Sequence, residues 1–531
     1  MINNRRGFLK AAGTGLGAGA LVSVPQAAIA ENVSGGQRQA VFSVTDFGAK
    51  GDGRTLDSDA INSAIEAASR AGGGIILFPA GSYLSYSLHL RSNVTLHLPT
   101  GSTIVAAPGP QPGEQGKYDL AEPNAPWEAY QDFGHNHWHN SLIWGEGIEN
   151  VAITGSGMIW GKGLSRGWDV EPRAEHPGAG NKAIALKNCR NVLLRDFAIL
   201  HGGHFGILAT GVDNFTIDNL TIDTNRDGMD IDCCRNVHVS NCTVNSPWDD
   251  GICLKSSYAL GYARATEMVT ITNCIVTGDF EEGTVIDATF KHFAPDAKIP
   301  RTGRIKFGTE SNGGFKNIAI SNCVFDGCRG LAIETVDGAI IEDISVTNLS
   351  MRDIREAPIF IRLGARMRGP EGVAVGVVRR VNISNVVCTS AAGQKISSIL
   401  SGIPGHALED IRITGITVLH HGGGSASDAV LSPPENEKKY PEPNMFGTTP
   451  SHGFFIRHVN GLEMSSVKIE SAADDARPAF VLDDVQGADF RFLKLPKAEN
   501  NTFLLKNVRE FSAFRSKPVP DTELAEADRR L

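Results

Sequence analysis

Large side chains are scarce in this sequence. Aromatics make up 7% of its 531 residues, with 6 tryptophans, and there are 8 methionines. A chain this long with so few bulky residues does not read as one large helical core. Long apolar runs are absent too. The longest, from Ala11 to Val22, is too short and too weakly hydrophobic to span a bilayer. Basic residues are outnumbered, 50 Lys and Arg against 59 Asp and Glu, for a formal net charge of −9. A generic nucleic-acid binder would be basic, so that partner class is excluded. An acidic protein can still hold a polyanion if its cleft is locally basic. Cysteine is sparse and odd in number, nine in all, with no C-x-x-C pair to suggest zinc. At least one thiol therefore has no intramolecular disulfide partner.

Glycine, by contrast, is abundant at 59 residues, and 41% of the chain is hydrophobic. Many short strands joined by frequent turns fit this balance. Length alone suggests about three or four domains, but a repeat architecture can extend one domain a long way.

The first thirty residues read as an address. Asn4-Arg5-Arg6-Gly7-Phe8-Leu9-Lys10 is a twin-arginine pattern, followed by the Gly/Ala-rich run and by Ala28-Ile29-Ala30, a small-residue cleavage site. Export to the periplasm or beyond is expected rather than a membrane anchor. Removing residues 1–30 takes away Arg5, Arg6 and Lys10 and leaves a charge of −12.

Internal repetition decides the fold class. Asn191–Asp196, Asn214–Asn219, Asn236–Asn241, Val269–Asn273 and Asn317–Asn322 are short alternating β-branched strands, each closed by a polar turn. Later copies end near Asn348, Asn385 and Gly415. The steps 196→219→241 are 23 and 22 residues, about one coil of a parallel β-helix. Asn-Cys recurs at 188–189, 241–242, 273–274 and 322–323, which places those cysteines at stacked interior positions. Insertions lie within 279–303, 364–376 and 421–450. The expectation is an all-β, single-stranded, right-handed parallel β-helix over about residues 40–490. A C-terminal strand and a charged, frayed tail follow over 491–531. A helix that Asp57 or Ser58 would cap, with Ile61, Ala64, Ile65 and Ala68 on one face, would cover the open N-terminal end.

Two segments carry chemistry. Asn225-Arg226-Asp227-Gly228-Met229-Asp230 and Trp248-Asp249-Asp250-Gly251 fall on adjacent coils. Asp227 and Asp249 are 22 residues apart and should stack on one outer face, with Asp250 beside them. Carboxylates brought together repel, so at least one proton is held tightly. That gives an acid and a base from one residue type, as glycoside hydrolysis needs. A solvated turn cluster or a calcium site fits the spacing equally well.

At this point the sequence resembles glycoside hydrolase family 28, the polygalacturonases, over roughly residues 40–480. Phe42–Gly53, with Asp46-Phe47-Gly48-Ala49-Lys50-Gly51-Asp52-Gly53, is similar to the opening of pectin-degrading β-helices of the pectin lyase-like class. The family's N-T-D-G-x-D matches 225–230 with arginine in place of threonine, and its G-D-D matches 248–250 with tryptophan in place of glycine. The resemblance implies Asp249 as general acid, Asp227 and Asp250 as activators of the water, and inversion, with acid and base ~6.5–9.5 Å apart. Two motifs depart from the family. Gly303 stands where its G-H-G has histidine, and Ala332-Ile333-Glu334 stands where it has R-I-K. Arg304-Ile305-Lys306 spells R-I-K a coil too early and reads as chance. The departures resemble the rhamnogalacturonan hydrolase branch, in which one sugar at the cut is neutral. A carboxylate beside Glu334 would meet repulsion, whereas Glu334 could accept hydrogen bonds from a neutral sugar.

Further substrate contacts are expected from His204, Trp248, Lys255, Lys306, Glu310 and Glu334. Arg362 and Arg366, with Arg368, are candidates to read a carboxylate. The loop from Glu437 to Phe446 could cover the cleft. The expected activity is hydrolysis of the pectin backbone without cofactor or metal, by a monomer acting on a pectic poly- or oligosaccharide. Two other readings stand beside it. One is a pectate lyase-like, calcium-dependent elimination on the same solenoid. The other is a non-catalytic polysaccharide-binding β-helix.

Overall fold

The structure is a computed structural model that describes residues 40–110, 117–166, 176–495 and 502–531. The twin-arginine segment lies outside them. Among the described residues, no helix is long and apolar enough to cross a membrane.

Parallel strands stack coil upon coil into a right-handed β-helix. Its register can be followed along single interior positions. One rung series runs Val151, Val192, Phe215, Val237, Val269, Ile318, Ile344, Val381, Ile411, Leu462, Ala488 and Phe511. On another face Ile104, Ile159, Ile199, Ile222, Val244, Val276, Phe325, Met351, Cys388, Val418 and Ile469 do the same. Every alternate side chain thus points into one continuous apolar column.

The recurrent asparagines explain how each coil turns its corner. Asn150, Asn191, Asn214 and Asn236 all have φ between 54° and 56°, a left-handed conformation that asparagine tolerates better than most residues. Their amides form a ladder: Asn191 donates to Asn150 at 2.9 Å, Asn214 to Asn191 at 2.8 Å and Asn236 to Asn214 at 2.8 Å. The nine cysteines are buried and free. Cys242, Cys274 and Cys323 precede Thr243, Ile275 and Val324, which pair in register, so these thiols stack inside as expected.

The helix Ser58–Arg70 closes the N-terminal end with Ile61, Ala64, Ile65 and Ala68 fully buried. Its start differs from expectation. The Asp57 carboxylate accepts from the Lys50 and Gly51 amides of the preceding turn, not from the helix. The C-terminal end differs too. Parallel stacking continues through Phe503–Phe514, and the charged tail expected to fray forms an antiparallel strand, Thr522–Arg530, across that last rung. It satisfies an edge that would otherwise stand open.

Candidate active site

Asp227 opens the strand Asp227–Asp232, and Asp249 and Asp250 sit in the turn before Ile252–Ser256, one coil on. Met229 pairs with Ile252, 23 residues further along, so Asp250 rather than Asp249 falls level with Asp227. The Gly228 amide donates to the Asp250 carbonyl at 2.9 Å. A Cβ at Gly228 would come within 2.4 Å of the Gly251 carbonyl oxygen, so only glycine allows the two turns to close up. Each of the three carboxylates offers one oxygen, and these oxygens lie within 4.8 Å of one another. A water with two hydrogen bonds of ~2.8 Å can bridge oxygens at that separation.

The three are unequal. Asp227 and Asp250 are almost wholly buried, and the Asp249 side chain remains 28% exposed. Burial, then the charges of Asp230 and Asp249, hold Asp227 well above the usual carboxylate range. Burial and the neighbouring Asp250 raise Asp249, opposed by Arg226, which donates to it at 2.8 Å. Burial acts on Asp250 as well, but Lys306, Arg304 and Lys255 outweigh it and keep that carboxyl well below its ordinary value. The Arg304 guanidinium donates to Asp250 at 2.8 Å, and the Lys306 ammonium stands 3.2 Å from its other oxygen. The cluster therefore sets one carboxyl pushed low, Asp250, against two pushed high, Asp227 and Asp249. Asp250 is thus the member of the Asp227–Asp250 pair left free to accept a proton, while Asp227, which binds its proton more tightly, would be the stronger base once ionised.

A second polar group adjoins the first. His135 bonds Asp230 at 2.9 Å, and Lys255 bonds Glu310 at 3.1 Å. Glu310 also accepts from the Asp132 amide at 2.9 Å. Burial opposes the charge on His135, but Glu310 and Asp230 raise its affinity for a proton. Two distant loops complete the surroundings. Asp132 and His135 come from the segment before the coil of Ile143. Tyr440 and Glu442 come from the insertion at 421–450, with Glu442 accepting from Arg304 at 2.7 Å. On the side toward lower-numbered coils lies a cavity of about 480 Å³ lined by Phe133, His137, Asn140, His176 and Asn181.

The residues singled out from sequence fall into two groups. Lys255, Lys306, Glu310 and Glu334 gather within the buried polar network around the aspartates. Trp248 stands half exposed beside Asp249. His204 is buried between the rings of Phe133 and Phe205, and burial pushes its imidazole well down in pKa. The arginines are engaged within the protein. Arg362 is buried and donates to Ser401 at 2.8 Å and to the Gly402 and Glu435 carbonyls at 2.9 and 2.7 Å. Arg366 holds Asp337, and Arg368 clasps Asp132 at 2.6 Å. The loop expected to cover the cleft lies against Arg304 and Lys306 through Glu442 and Tyr440. Phe446 packs on Phe360 and Phe455, on the outward face beyond Ala332.

Sequence reasoning missed Arg304, which it set aside with the R-I-K tripeptide. A long insertion separates Ile252 from Ile305, yet these two pair directly, and that puts Arg304 and Lys306 against Asp250. Arg226, Asp230, His135 and Glu442 were missed as well. The first two lie inside the quoted motif. The last two come from loops with no repeat to place them.

The spacing of the three aspartates, and that of Glu122, His139 and Glu146, would also suit a shared cation. Around the aspartates that charge is already supplied by Arg226, Arg304 and Lys306. Lys187 supplies it at Glu146.

Residues 41–106 match the family described as rhamnogalacturonase A/epimerase, pectate lyase-like, and residues 148–295 match the right-handed β-helix region. A probable polygalacturonase of Vitis vinifera is 24% identical over 397 residues, 71% of this chain and 74% of the relative. The family 28 exopolygalacturonase of Yersinia enterocolitica superposes with a TM-score of 0.60 at 18% identity, over 87% of this chain and 79% of that one. The exopolygalacturonase of Thermotoga maritima gives 0.54 at 23% identity, over 72% and 87%. The chain is thus a right-handed parallel β-helix that resembles the polygalacturonases of glycoside hydrolase family 28.

Proposed function

We propose that this protein is an inverting glycoside hydrolase that cuts the backbone of a pectic polysaccharide. The observation that carries the reading is the unequal aspartate cluster, with one carboxyl pushed low and a neighbour pushed high, their oxygens close enough to share one water. Asp249 gives its proton to the departing glycosidic oxygen. Asp250, oriented by Arg304 and Lys306 and helped by Asp227, takes a proton from the water as its oxygen bonds to the anomeric carbon. The bond to the leaving oxygen breaks as the new one forms, so configuration inverts and no covalent intermediate is needed.

The reading extends to the sugar beside the cut. Ala332 and Glu334 supply no cation there, and Arg304 and Lys306 are already shared by Asp250 and Glu442. Arg362 and Arg366 are committed to internal partners, so a neutral sugar on the leaving side fits better than a second galacturonate. Export by the twin-arginine segment would bring the enzyme to such a polymer. Digestion of polygalacturonan beside rhamnogalacturonan tests the assignment. Faster release of reducing ends from rhamnogalacturonan is expected, and vigorous cleavage of unsubstituted polygalacturonan alone would refute the neutral-sugar version.

A further inference from the structure

Glu334 is an oddity in this network. Its side chain is wholly buried, and neither carboxyl oxygen has a hydrogen-bond partner. Its nearest cation is Lys306, whose ammonium lies 4.0 Å away, beyond hydrogen-bond reach, and leans to Asp250 at 3.2 Å. The groups that face it can be counted. From the preceding coil come Lys306 and Arg304, with Asp250 behind them. From the loop at 440–442 come Tyr440 and Glu442. Arg362 lies in register one coil on, bound to Ser401 and to the Gly402 and Glu435 carbonyls. Arg329 bridges Glu442 and Glu356 at the far side of the network, adding one cation and one carboxylate. Three cations, Arg304, Lys306 and Arg329, thus meet three carboxylates, Asp250, Glu442 and Glu356. A neutral Glu334 leaves that set balanced, and an ionised one gives it an excess negative charge.

We propose that Glu334 is a positioning residue for Lys306, and that its neutral form leaves the ammonium against Asp250 while its ionised form draws the ammonium away. This rests on the reading of Asp250 as the group that receives the water's proton. Burial holds the Glu334 carboxyl up to about 8 against the pull of Lys306 and Arg304. Below that pH the carboxyl is uncharged, and Lys306 has Asp250 and Glu442 as its carboxylate partners. As pH rises through it, a third carboxylate competes, and Asp250 loses part of the field that keeps it ionised and oriented.

Two measurements test this. In the first, kcat is followed against pH on the pectic polymer that the wild type cleaves. The wild type should lose kcat as pH rises through about 8, with KM little changed. Glu334→Gln, isosteric with the neutral acid, should carry its alkaline limb, relative to its own plateau, upward by about one pH unit or more. An alkaline limb that does not move overturns the proposal. The second needs no substrate. Difference infrared spectra of the wild type should show a protonated carboxyl that disappears as pH rises through about 8 and is absent from Glu334→Gln. If that variant does not fold, the wild-type infrared midpoint must coincide with the wild-type alkaline limb, and a mismatch overturns the proposal. A protein that cleaves no pectic polymer refutes the hydrolase reading. The infrared signal then still decides whether Glu334 holds its proton, and its absence refutes the role given to Glu334.

Discussion

Replacing Asp249 by asparagine separates the acid's chemistry from its place in the fold. Asp249 accepts a hydrogen bond from Arg226 at 2.8 Å, and its side chain keeps 28% of its surface exposed. The amide oxygen of asparagine can still accept from Arg226, so the turn should hold and stability should change by less than ~1 kcal/mol. What disappears is the proton that Asp249 gives in the proposed mechanism, one that burial and Asp250 favour. General acid catalysis contributes about 10²–10⁴-fold, or about 3–5 kcal/mol of barrier. The loss should fall on kcat, because protonation of the leaving oxygen develops only in the transition state. Initial rates of reducing-end release measure it, with oligosaccharide affinity followed by calorimetry. Affinity should stay within about threefold. The defect should also shrink for a substrate whose leaving group needs no proton. A kcat within tenfold of wild type, or a loss confined to KM, would refute the role given to Asp249.

Arg304→Met removes a buried cation from Asp250 and Glu442. Breaking such a pair costs about 3–5 kcal/mol, so denaturant unfolding should shift clearly, and the acid limb of the rate profile should move up as Asp250 loses the partner that lowers it. An unchanged acid limb in folded protein would contradict the role of Asp250. Phe446→Ala takes away a ring that is 3% exposed and packed on Phe360 and Phe455. Its loss should cost about 3–5 kcal/mol of local anchoring, and limited proteolysis should then cut between 433 and 446 where the wild type resists. Reductant should leave the melting temperature unchanged, and thiol reagents should label the cysteines only after unfolding, because all nine are free and buried. A reductant-dependent melt would show a disulfide instead.

The fold was legible because its period is written in chemistry that each coil must repeat. Asparagine marks the left-handed corner, and β-branched residues mark the inward positions between corners. The same period placed Asp227 and Asp249 on neighbouring coils, but it is not constant to the residue. The 23-residue step from Met229 to Ile252 sets Asp250 level with Asp227, a shift that a 22-residue count cannot show. Arg304 was hidden for a related reason. Counting coils through the 279–303 insertion loses the rung, so a tripeptide that looked misplaced lies against the Asp250 carboxylate. Asp132, His135, Tyr440 and Glu442 reach the site from loops outside the repeat, where no periodicity constrains them. The tail misled because its charge suggested a solvated end. Its alternate positions instead lie across the last rung, where the open edge offers unpaired backbone groups.

The account stands most directly on the stereochemistry and identity of the first product. Nuclear magnetic resonance of rhamnogalacturonan and polygalacturonan, recorded in the first minutes of digestion with and without chelator, reads both. An inverting hydrolase should release reducing ends whose anomeric configuration is opposite to that of the bond cut. It should form no unsaturated sugar, ignore the chelator, and fall silent in Asp249→Asn. Unsaturated products that vanish with chelator, or product of retained configuration, would contradict the mechanism built on Asp227, Asp249 and Asp250.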